Sequence, residues 1–347
     1  MNTICIDPAQ DPIWQQLVTQ HDSTVFHSPA WIRVLQETYP FHIRAYVLLN
    51  EAHEPTAGIP FALIDDMMDS RIACLPFSDF CDPLVRHFDE WYCLADKLLH
   101  NGSRISLRCL HNQTPVTDQR FKQVGRAKWH CVDLQQDEDM VWQGLQGSAR
   151  RAIKKAKRSG VSIRISQDKD DLRAFFELHL RVRKYKYRLL AQPYQFFEHI
   201  WNQFLAPGQG TLILAVHEEQ IIGGVLFLEW QNGLYYKFNA SNPDKIALRP
   251  NDLIVWEGIR YGQKRKLHFL DFGLSDWEQE GLLQYKRKFA SQEKTISFLR
   301  YTPEGSPSAT ETKLRKLFPQ LTDLFVDASV PDTVTEKAGN SLYRFFT

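Results

Sequence analysis

The fold is decided by the stretch at residues 211–241, which reads TLILAVHEEQIIGGVLFLEWQNGLYYKFNAS. In it, three apolar, strand-like runs alternate with two short polar turns, Glu-Glu-Gln and Gln-Asn-Gly. Short turns of this kind join strands that lie antiparallel to each other. The stretch therefore predicts three neighbouring antiparallel strands, at 211–216, 221–230 and 234–241.

A helix and further strands are predicted downstream of these three strands. Pro250 and Asn251 are good first residues of a helix, and the helical pattern continues to residue 266. The apolar run at 269–272 predicts the next strand, before a short helix near 282–289 and a strand at 295–301. Strands followed by a helix and another strand indicate a mixed α/β unit.

The first half of the chain shows the same order of elements. Two helical stretches precede three strand-like runs, and an amphipathic helix and two further strands follow them. The repeated pattern predicts two copies of one α/β unit. The remaining predicted strands are 43–49, 58–64, 71–77, 105–110, 129–134 and 161–165, and the remaining predicted helices are 11–21, 29–38, 88–101, 148–159, 172–190, 193–205, 311–325 and 335–346.

The predicted fold class is therefore α/β of the α+β kind, with two tandem domains that each contain a mixed, mostly antiparallel sheet flanked by helices. We expect the first domain to span 1–140 and the second to span 141–301. The tail at 302–347 begins with a connector rich in Pro, Ser and Thr and is too small for a core of its own. We expect this tail to pack back on the first domain.

Composition limits the class of protein. The 347 residues include 22 Phe, 12 Tyr and 9 Trp, which are enough for two hydrophobic cores. The formal net charge of +1 argues against a surface that binds nucleic acid throughout. The sequence has no secretory signal pattern and no run of the ~18 apolar residues that a membrane span needs. These observations predict a soluble, cytoplasmic protein.

Motifs of several common enzyme classes are missing from the sequence. It contains no GxSxG, no GxxxxGK[ST] and no HExxH, and its one GxG, at Gly208 and Gly210, precedes a strand. The six cysteines form no CxxC pair, and the histidines are scattered singly. We therefore predict reduced thiols, no metal site and no tightly bound cofactor.

The helix predicted at 148–159 is strongly basic. Arg150, Arg151, Lys154 and Lys155 lie close together on it, and no acidic residue interleaves to pair with them. Because like charges repel, an anionic ligand such as a phosphate group would stabilise this cluster. A solvated surface helix is the alternative interpretation.

Two further features could carry chemistry. Lys286 follows a strand–helix junction and has apolar neighbours, so that it could hold an oxyanion or a phosphate. Asp79 and Asp82 lie in an aromatic-rich turn, where a desolvated carboxylate could act as a base toward an amine. An exposed lysine on an ordinary helix and carboxylates that bond their own turn are the alternatives.

The ordered set of these motifs resembles the FemA/FemB/FemX group of transferases, which belongs with the wider GNAT-like N-acyltransferases. The resemblance covers about residues 26–301 and is strongest over 148–290. It rests on four motifs: RRxxKK at 150–155, LRPN at 248–251 opening a helix, LDFG at 270–273, and GLLQYKRKF at 281–289.

The resemblance implies two tandem GNAT-like domains and an enzyme that moves an activated acyl group onto an amine. Acyl-CoA or aminoacyl-tRNA would be the donor, with any tRNA contact transient. The acceptor would be a nucleotide- or lipid-linked precursor in peptidoglycan or exopolysaccharide biosynthesis, which allows a peripheral membrane contact. The resemblance further implies that Lys286 stabilises the reacting end of the donor and that Asp79 lies near the acceptor. The residues that would bind substrate or phosphate are Arg150, Arg151, Lys154, Lys155, Asn251 and Asp271.

Two departures from the family pattern affect the choice of donor. The long helical-hairpin arm of some members is absent, and LRPN at 248–251 stands where ordinary GNAT enzymes carry a glycine-rich CoA loop. Pro250 lacks the N–H that could cradle a pyrophosphate, which argues against plain acetyl-CoA use by the second domain. Two alternatives stay open. One is an acyl-CoA-dependent N-acetyltransferase for a sugar or small amine, and the other is a non-enzymatic nucleotide or nucleic-acid binding module.

Overall fold

The chain forms two compact units in a computed structural model. Unit 1 is made mostly from the first part of the sequence and unit 2 mostly from the second. The structure describes residues 2–67, 69–303 and 309–346. Unit 1 comprises Met1–Lys128, Lys294–Phe318 and Arg344–Thr347, and unit 2 comprises Trp129–Glu293 and Pro319–Tyr343.

Helices and strands alternate along the described residues much as the sequence predicts. The strands are β1 (Asn2–Ile6), β2 (His42–Leu49), β3 (Pro55–Asp65), β4 (Ser70–Ala73), β5 (Arg104–Cys109), β6 (Lys122–Asp133), β7 (Ser162–Ile165), β8 (Gly210–His217), β9 (Gln220–Trp230), β10 (Gly233–Ser241), β11 (Phe269–Asp276) and β12 (Gln292–Tyr301). The helices are α1 (Pro12–Gln20), α2 (Pro29–Thr38), α3 (Phe88–Leu99), α4 (Glu138–Gly144), α5 (Gly147–Arg158), α6 (Lys169–Arg181), α7 (Tyr194–Ile200), α8 (Pro250–Lys264), α9 (Glu280–Arg287), α10 (Ala309–Phe325) and α11 (Asp332–Leu342).

The two units repeat one strand arrangement. In unit 1 the order is β1-β2-β3-β4-β5-β12. The pairs β1–β2, β2–β3 and β3–β4 are antiparallel, and the pair β4–β5 is parallel. In unit 2 the order is β6-β11-β10-β9-β8-β7, with β7 to β10 antiparallel and β10 parallel to β11. A parallel pair needs a crossover, which α3 supplies in unit 1 and α8 in unit 2. The predicted fold class is confirmed.

The last strand of each half of the sequence contributes to the other unit. Strand β6 closes the first half of the sequence, yet its residues from Trp129 onward belong to unit 2. Strand β12 closes the second half, yet its residues from Lys294 onward belong to unit 1, where they pair antiparallel with β5. The compact units therefore differ from the predicted bounds of 1–140 and 141–301, because the sequence pattern does not show this exchange.

Each unit has its own hydrophobic core. In unit 1 the apolar face of α3 packs with the strands, and Trp91, Leu94 and Leu98 are fully buried. In unit 2 the basic helix α5 buries Ile153 and its small neighbours Ala149 and Ala156 against the sheet and α8. These three positions share one helical face, which leaves the basic side chains of α5 on the other faces.

The C-terminal segment divides between the units. Residues Pro319–Tyr343, which include α11, belong to unit 2, and only Lys294–Phe318 and Arg344–Thr347 belong to unit 1. Within unit 2, Glu336 of α11 makes a two-pronged ion pair with Arg173 of α6, both N–O distances being 3.0 Å. The expected return of the whole tail to the first domain therefore differs from the observed packing.

Candidate active site

The parallel strands β10 and β11 of unit 2 part along their length. Their pairing ends at Tyr235↔Asp271, although β10 continues to Ser241 and β11 to Asp276. A bulge directly after Tyr236 bends β10 at the same level. Ligands of open α/β sheets bind in a crevice at the carboxyl ends of strands that part. This opening, which we call the crevice, is the first element of the candidate site.

Lys286 of α9 holds the parted end of β11. Its side chain is buried, and its Nζ donates to the carbonyl oxygens of Gly273 and Leu274 at 3.1 and 3.0 Å. Gly273 adopts a φ of +64°, which turns the strand so that two consecutive carbonyls reach one ammonium. Asp271 accepts the N–H of Gly273 at 2.5 Å and fixes the same turn. Two predicted site residues, Lys286 and Asp271, therefore come together and shape the crevice.

The N-terminus of α8 lies beside the end of β10. Arg249 precedes the helix with a left-handed φ of +64° and supplies no side-chain cap, while Pro250 is the first helical residue. The Asn251 Oδ1 accepts from the Ser241 hydroxyl and from the Asn239 Nδ2, the latter at 3.2 Å. A helix start without a side-chain cap offers backbone N–H groups and a positive dipole end, which suit an anion.

A basic cavity of about 300 Å³ lies at this helix start, where Arg249 is part of its lining. Arg151 and Lys155 enter it from successive turns of α5, and Arg249 and Lys288 complete its lining with Ser148 and Ala152. Lys288 pairs with Asp252, with 2.7 Å between Nζ and Oδ1. Four cations around one small cavity, beside a helix N-terminus, favour a phosphate or pyrophosphate group.

Only half of the predicted basic cluster takes part in this cavity. Arg150 instead donates to the carbonyl oxygens of Trp142 and Gln143, at 3.4 and 2.8 Å, where α4 ends. Carbonyls at the end of a helix need such donors, so this contact gives Arg150 a capping role. Lys154 is exposed and is not part of the cavity lining. The structure therefore separates Arg151 and Lys155 from Arg150 and Lys154.

A second cavity, of about 440 Å³, also lies at the α8 start, where Asn251 is part of its lining. We call it the aromatic cavity, because Tyr185 and Tyr187 form one wall and are each 48 % exposed. Polar groups of the parted strand and of α8 also line it. The full lining is Arg181, Val182, Tyr185, Lys186, Tyr187, Asn239, Ser241, Pro243, Asp244, Ile246 and Asn251. Aromatic faces with converging amides and hydroxyls are typical of a site for a polar organic molecule.

The corresponding opening of unit 1 is occupied by its own chain. Beyond β4, the Cys74 N–H donates to the Ser106 carbonyl at 3.0 Å, and the Cys81 N–H donates to the Arg108 carbonyl at 2.9 Å. The segment after β4 thus takes the hydrogen bonds that a parted strand would leave to a ligand. Of these two openings, the one in unit 2 therefore remains open.

The two carboxylates of the aromatic turn lie in unit 1 and differ in environment. Asp79 is partly buried, whereas Asp82 is buried and its Oδ1 accepts three backbone N–H bonds, from Leu110, His111 and Asn112. Burial raises the pKa of Asp82 to about 6, although these hydrogen bonds oppose the rise. The desolvated carboxylate of this turn is therefore Asp82.

Several residues of the candidate site were not among the predicted ones. Arg249 and Lys288 both lie within motifs of the family resemblance, LRPN at 248–251 and GLLQYKRKF at 281–289. The sequence therefore offered a means of finding these two residues. The tyrosines of the aromatic cavity and Asn239 carry no motif. Their chain segments come together only through the fold, and sequence spacing gave no indication of it.

A crossover helix whose start lies at a basic cavity, beside a parted parallel strand pair, suits the binding of an anionic group. Residues 145–287 match the family model described as an acetyltransferase (GNAT) domain. The fold resembles that of FemX, at a TM-score of 0.66 and 13 % identity, with 92 % of this chain and 100 % of that chain covered.

Two further solved structures share the fold. L-PGS from Bacillus licheniformis matches at a TM-score of 0.55 and 12 % identity, covering 90 % of this chain and 98 % of that one. A tandem GNAT protein from the clavulanic acid biosynthesis pathway matches at 0.56 and 10 % identity, covering 88 % and 100 %. Identities this low show the fold alone. Among curated proteins, none matches the chain in sequence.

Residues 145–287 therefore form a GNAT-type acyltransferase domain, and the chain as a whole shares its fold with FemX, L-PGS and a tandem GNAT protein. The predicted family resemblance and enzyme class are confirmed, and the alternative of a non-enzymatic binding module does not hold. No helix among residues 2–67, 69–303 and 309–346 is both long and apolar enough to cross a membrane.

Proposed function

We propose that the enzyme transfers an acyl or aminoacyl group onto an amine of a cell-envelope or polysaccharide precursor, using the crevice of unit 2. The observation that carries the proposal is the pair of cavities at the α8 start. One is lined by four cations and the other by aromatic and amide groups. A donor with phosphates and an acceptor with polar rings or amides need these two environments side by side.

The basic cavity takes the phosphate groups of the donor. Arg151, Lys155, Arg249 and Lys288 supply positive charge, and the α8 start supplies backbone N–H groups. Acyl-CoA and aminoacyl-tRNA both carry phosphates, so this cavity is compatible with either donor. Pro250 removes one N–H from the helix start, which favours a donor other than plain acetyl-CoA.

The reacting carbonyl lies in the crevice, near Lys286. Two hydrogen bonds to Gly273 and Leu274 fix the Lys286 ammonium in place, and its charge stabilises the oxyanion that forms on attack. The acceptor amine enters through the aromatic cavity, where Asn251 contributes a polar contact. As the amine attacks, the thiol of CoA or the terminal ribose hydroxyl of tRNA leaves, and the proton that the amine loses goes to this leaving group. Asp79 lies in unit 1, and its role near the acceptor stays a prediction.

An acyl-CoA-dependent N-acetyltransferase for a sugar or small amine is the second candidate. The match of residues 145–287 to an acetyltransferase domain favours it. FemX and L-PGS, whose fold this chain shares over about nine-tenths of its length, favour the first candidate. The two candidates differ in donor and acceptor and use the same crevice.

We place the enzyme in the cytoplasm. All six cysteines are free thiols, and such thiols persist in a reducing compartment. A lipid-linked acceptor would bring the enzyme to the membrane surface without a spanning segment. Neither donor is a tightly held cofactor, because both are consumed in the transfer.

A donor-binding and transfer experiment tests the proposal. Acetyl-CoA and lysyl-tRNA are each titrated in a thermal-shift assay, and transfer to glucosamine, to a UDP-linked amino sugar and to a UDP-linked muropeptide is followed by product mass. Lys155→Ala is expected to weaken donor binding about tenfold, since one charge-assisted phosphate contact contributes roughly 1.4 kcal/mol. Lys154→Ala is the matched control and leaves binding unchanged.

The outcomes separate the two candidates. Product from lysyl-tRNA and the muropeptide supports the first candidate, and product from acetyl-CoA and a sugar amine alone supports the second. Equal loss of donor affinity in Lys154→Ala and Lys155→Ala would overturn the assignment of the basic cavity. Absence of product with both donors would overturn the proposed function.

A further inference from the structure

The wall of the aromatic cavity is an irregular segment, residues 182–192, which we call the cavity segment. Helix α6 ends at Arg181, and the chain continues through a wide π turn, Val182–Lys186, to Arg188, whose φ is +55°. Tyr185 and Tyr187 are about half exposed. An exposed segment with few apolar contacts opens easily unless other parts of the protein hold it.

Lys184 ties the cavity segment to the C-terminal segment of the chain. Its side chain is fully buried, and its Nζ donates to the Val330 carbonyl at 2.5 Å and to the Asp332 Oδ1 at 2.8 Å. The Tyr185 hydroxyl donates to the same Asp332 oxygen at 2.8 Å. A cavity tyrosine and its neighbouring lysine therefore depend on one carboxylate about 150 residues away in the sequence.

Further contacts join the same two segments. Arg188 donates to the Val326 carbonyl at 2.9 Å. Gly339 of α11 lies so close to the cavity segment that a Cβ on it would come within 2.4 Å of the Ala191 carbonyl oxygen. Backbone approach this close is possible only for glycine. On the other side, His179 of α6 pairs with Gln192 at 2.9 Å, so both ends of the cavity segment are held.

We propose that the C-terminal segment, Pro319–Tyr343, positions the acceptor wall of the active site. This inference rests on the proposed function, because it assigns the aromatic cavity to the acceptor. Asp332 and Gly339 act through the cavity segment and so are positioning residues. Removal of the Asp332 charge leaves the buried Lys184 ammonium without its charged partner. The lysine side chain then moves toward solvent, and Tyr185 becomes less ordered.

Hydrogen exchange tests the structural part of the inference without any substrate. Asp332→Asn and Gly339→Ala are each expected to raise exchange in peptides covering residues 182–192 by at least tenfold, while peptides of β8 and β9 keep their rates. Glu336→Gln is the matched control, because it removes an ion pair from the same helix α11 without touching the cavity segment. Unchanged exchange at 182–192 in both variants would overturn the inference.

Steady-state kinetics tests the functional part. With the amine from the glucosamine, amino-sugar and muropeptide set that gives product, Asp332→Asn is expected to raise the acceptor KM about tenfold and to leave the donor KM unchanged. Equal changes in both KM values would overturn the positioning role. If none of these amines gives product, the proposed function fails, whereas the exchange result still shows whether the C-terminal segment holds residues 182–192.

Discussion

Lys288 and Asp252 join the wall of the basic cavity to the first turn of α8. The Lys288 Nζ lies 2.7 Å from the Asp252 Oδ1, and the two side chains are 18 % and 5 % exposed. The same ammonium lies 4.4 Å from the centre of the Tyr285 ring. The pair holds α8 and α9 together, and it also neutralises part of the positive charge around the cavity.

Asp252→Asn separates these two effects. The loss of a mostly buried charge partner is expected to lower the free energy of unfolding by about 2 kcal/mol. Because the freed Lys288 charge then faces the cavity alone, the affinity for CoA is expected to rise severalfold. Urea unfolding and calorimetric titration with CoA measure the two quantities.

Glu257→Gln is the control for this prediction, since it removes two more exposed pairs on the same helix, with Arg260 at 2.9 Å and with Lys157 at 3.5 Å. Little change is expected from it in either measurement. Lower CoA affinity in Asp252→Asn would contradict the view that this carboxylate offsets the cavity charge.

Lys286→Ala tests whether the buried lysine fixes the crevice. Its removal leaves the carbonyls of Gly273 and Leu274 without their common donor, which is expected to cost about 2 kcal/mol of stability. Transfer is expected to slow at least tenfold, because the parted end of β11 moves and the oxyanion loses a charge. Initial rates and urea unfolding measure both effects. Arg287→Ala is the control, because it removes only a surface ion pair with Glu293. A full transfer rate in Lys286→Ala would show that the role assigned to Lys286 is wrong.

The order of strands and helices was predictable because it depends on local hydrophobic patterns. The sequence pattern missed β1 and α4 and continued α6 to residue 190, although α6 ends at Arg181. The cavity segment deviates from a helix where Lys184 meets residues 330 and 332. Long-range contacts of this kind leave no period in the sequence.

The candidate site was predictable in part, for the same reason. Helical spacing placed Arg151 and Lys155 one turn apart, and both line the basic cavity. Spacing could not show that Arg150 caps α4, or that Asp82 is the buried carboxylate of its turn. Those roles depend on which groups the fold brings against each side chain.

Stability of unit 2 is expected to fall in mild acid because of His179. Burial lowers its pKa to about 4; the nearby Arg183 charge also lowers it, and the hydrogen bond with Gln192 opposes the change. Between pH 6.5 and 4, His179 is therefore protonated in the unfolded chain and neutral in the folded chain. The free energy of unfolding falls as the pH falls through this range. At pH 5 the loss is about 2 kcal/mol relative to pH 7.

Unit 1 is expected to lose stability over the same range as well, because two histidines there outweigh one buried carboxyl. Desolvation lowers the pKa of His27 and of His111 to about 4, which acts in the same sense as the change described for His179, whereas burial raises the pKa of Asp82 to about 6. The folded carboxyl takes up a proton before the unfolded one does, and it offsets about 1.4 kcal/mol at pH 5. Hydrogen exchange at pH 7 and pH 5, corrected for intrinsic rates, is expected to show a loss of protection in the cores of both units. His179→Gln is expected to reduce the loss in unit 2 and the exposed His268→Gln to leave it unchanged, and an undiminished loss in His179→Gln would contradict the role assigned to His179.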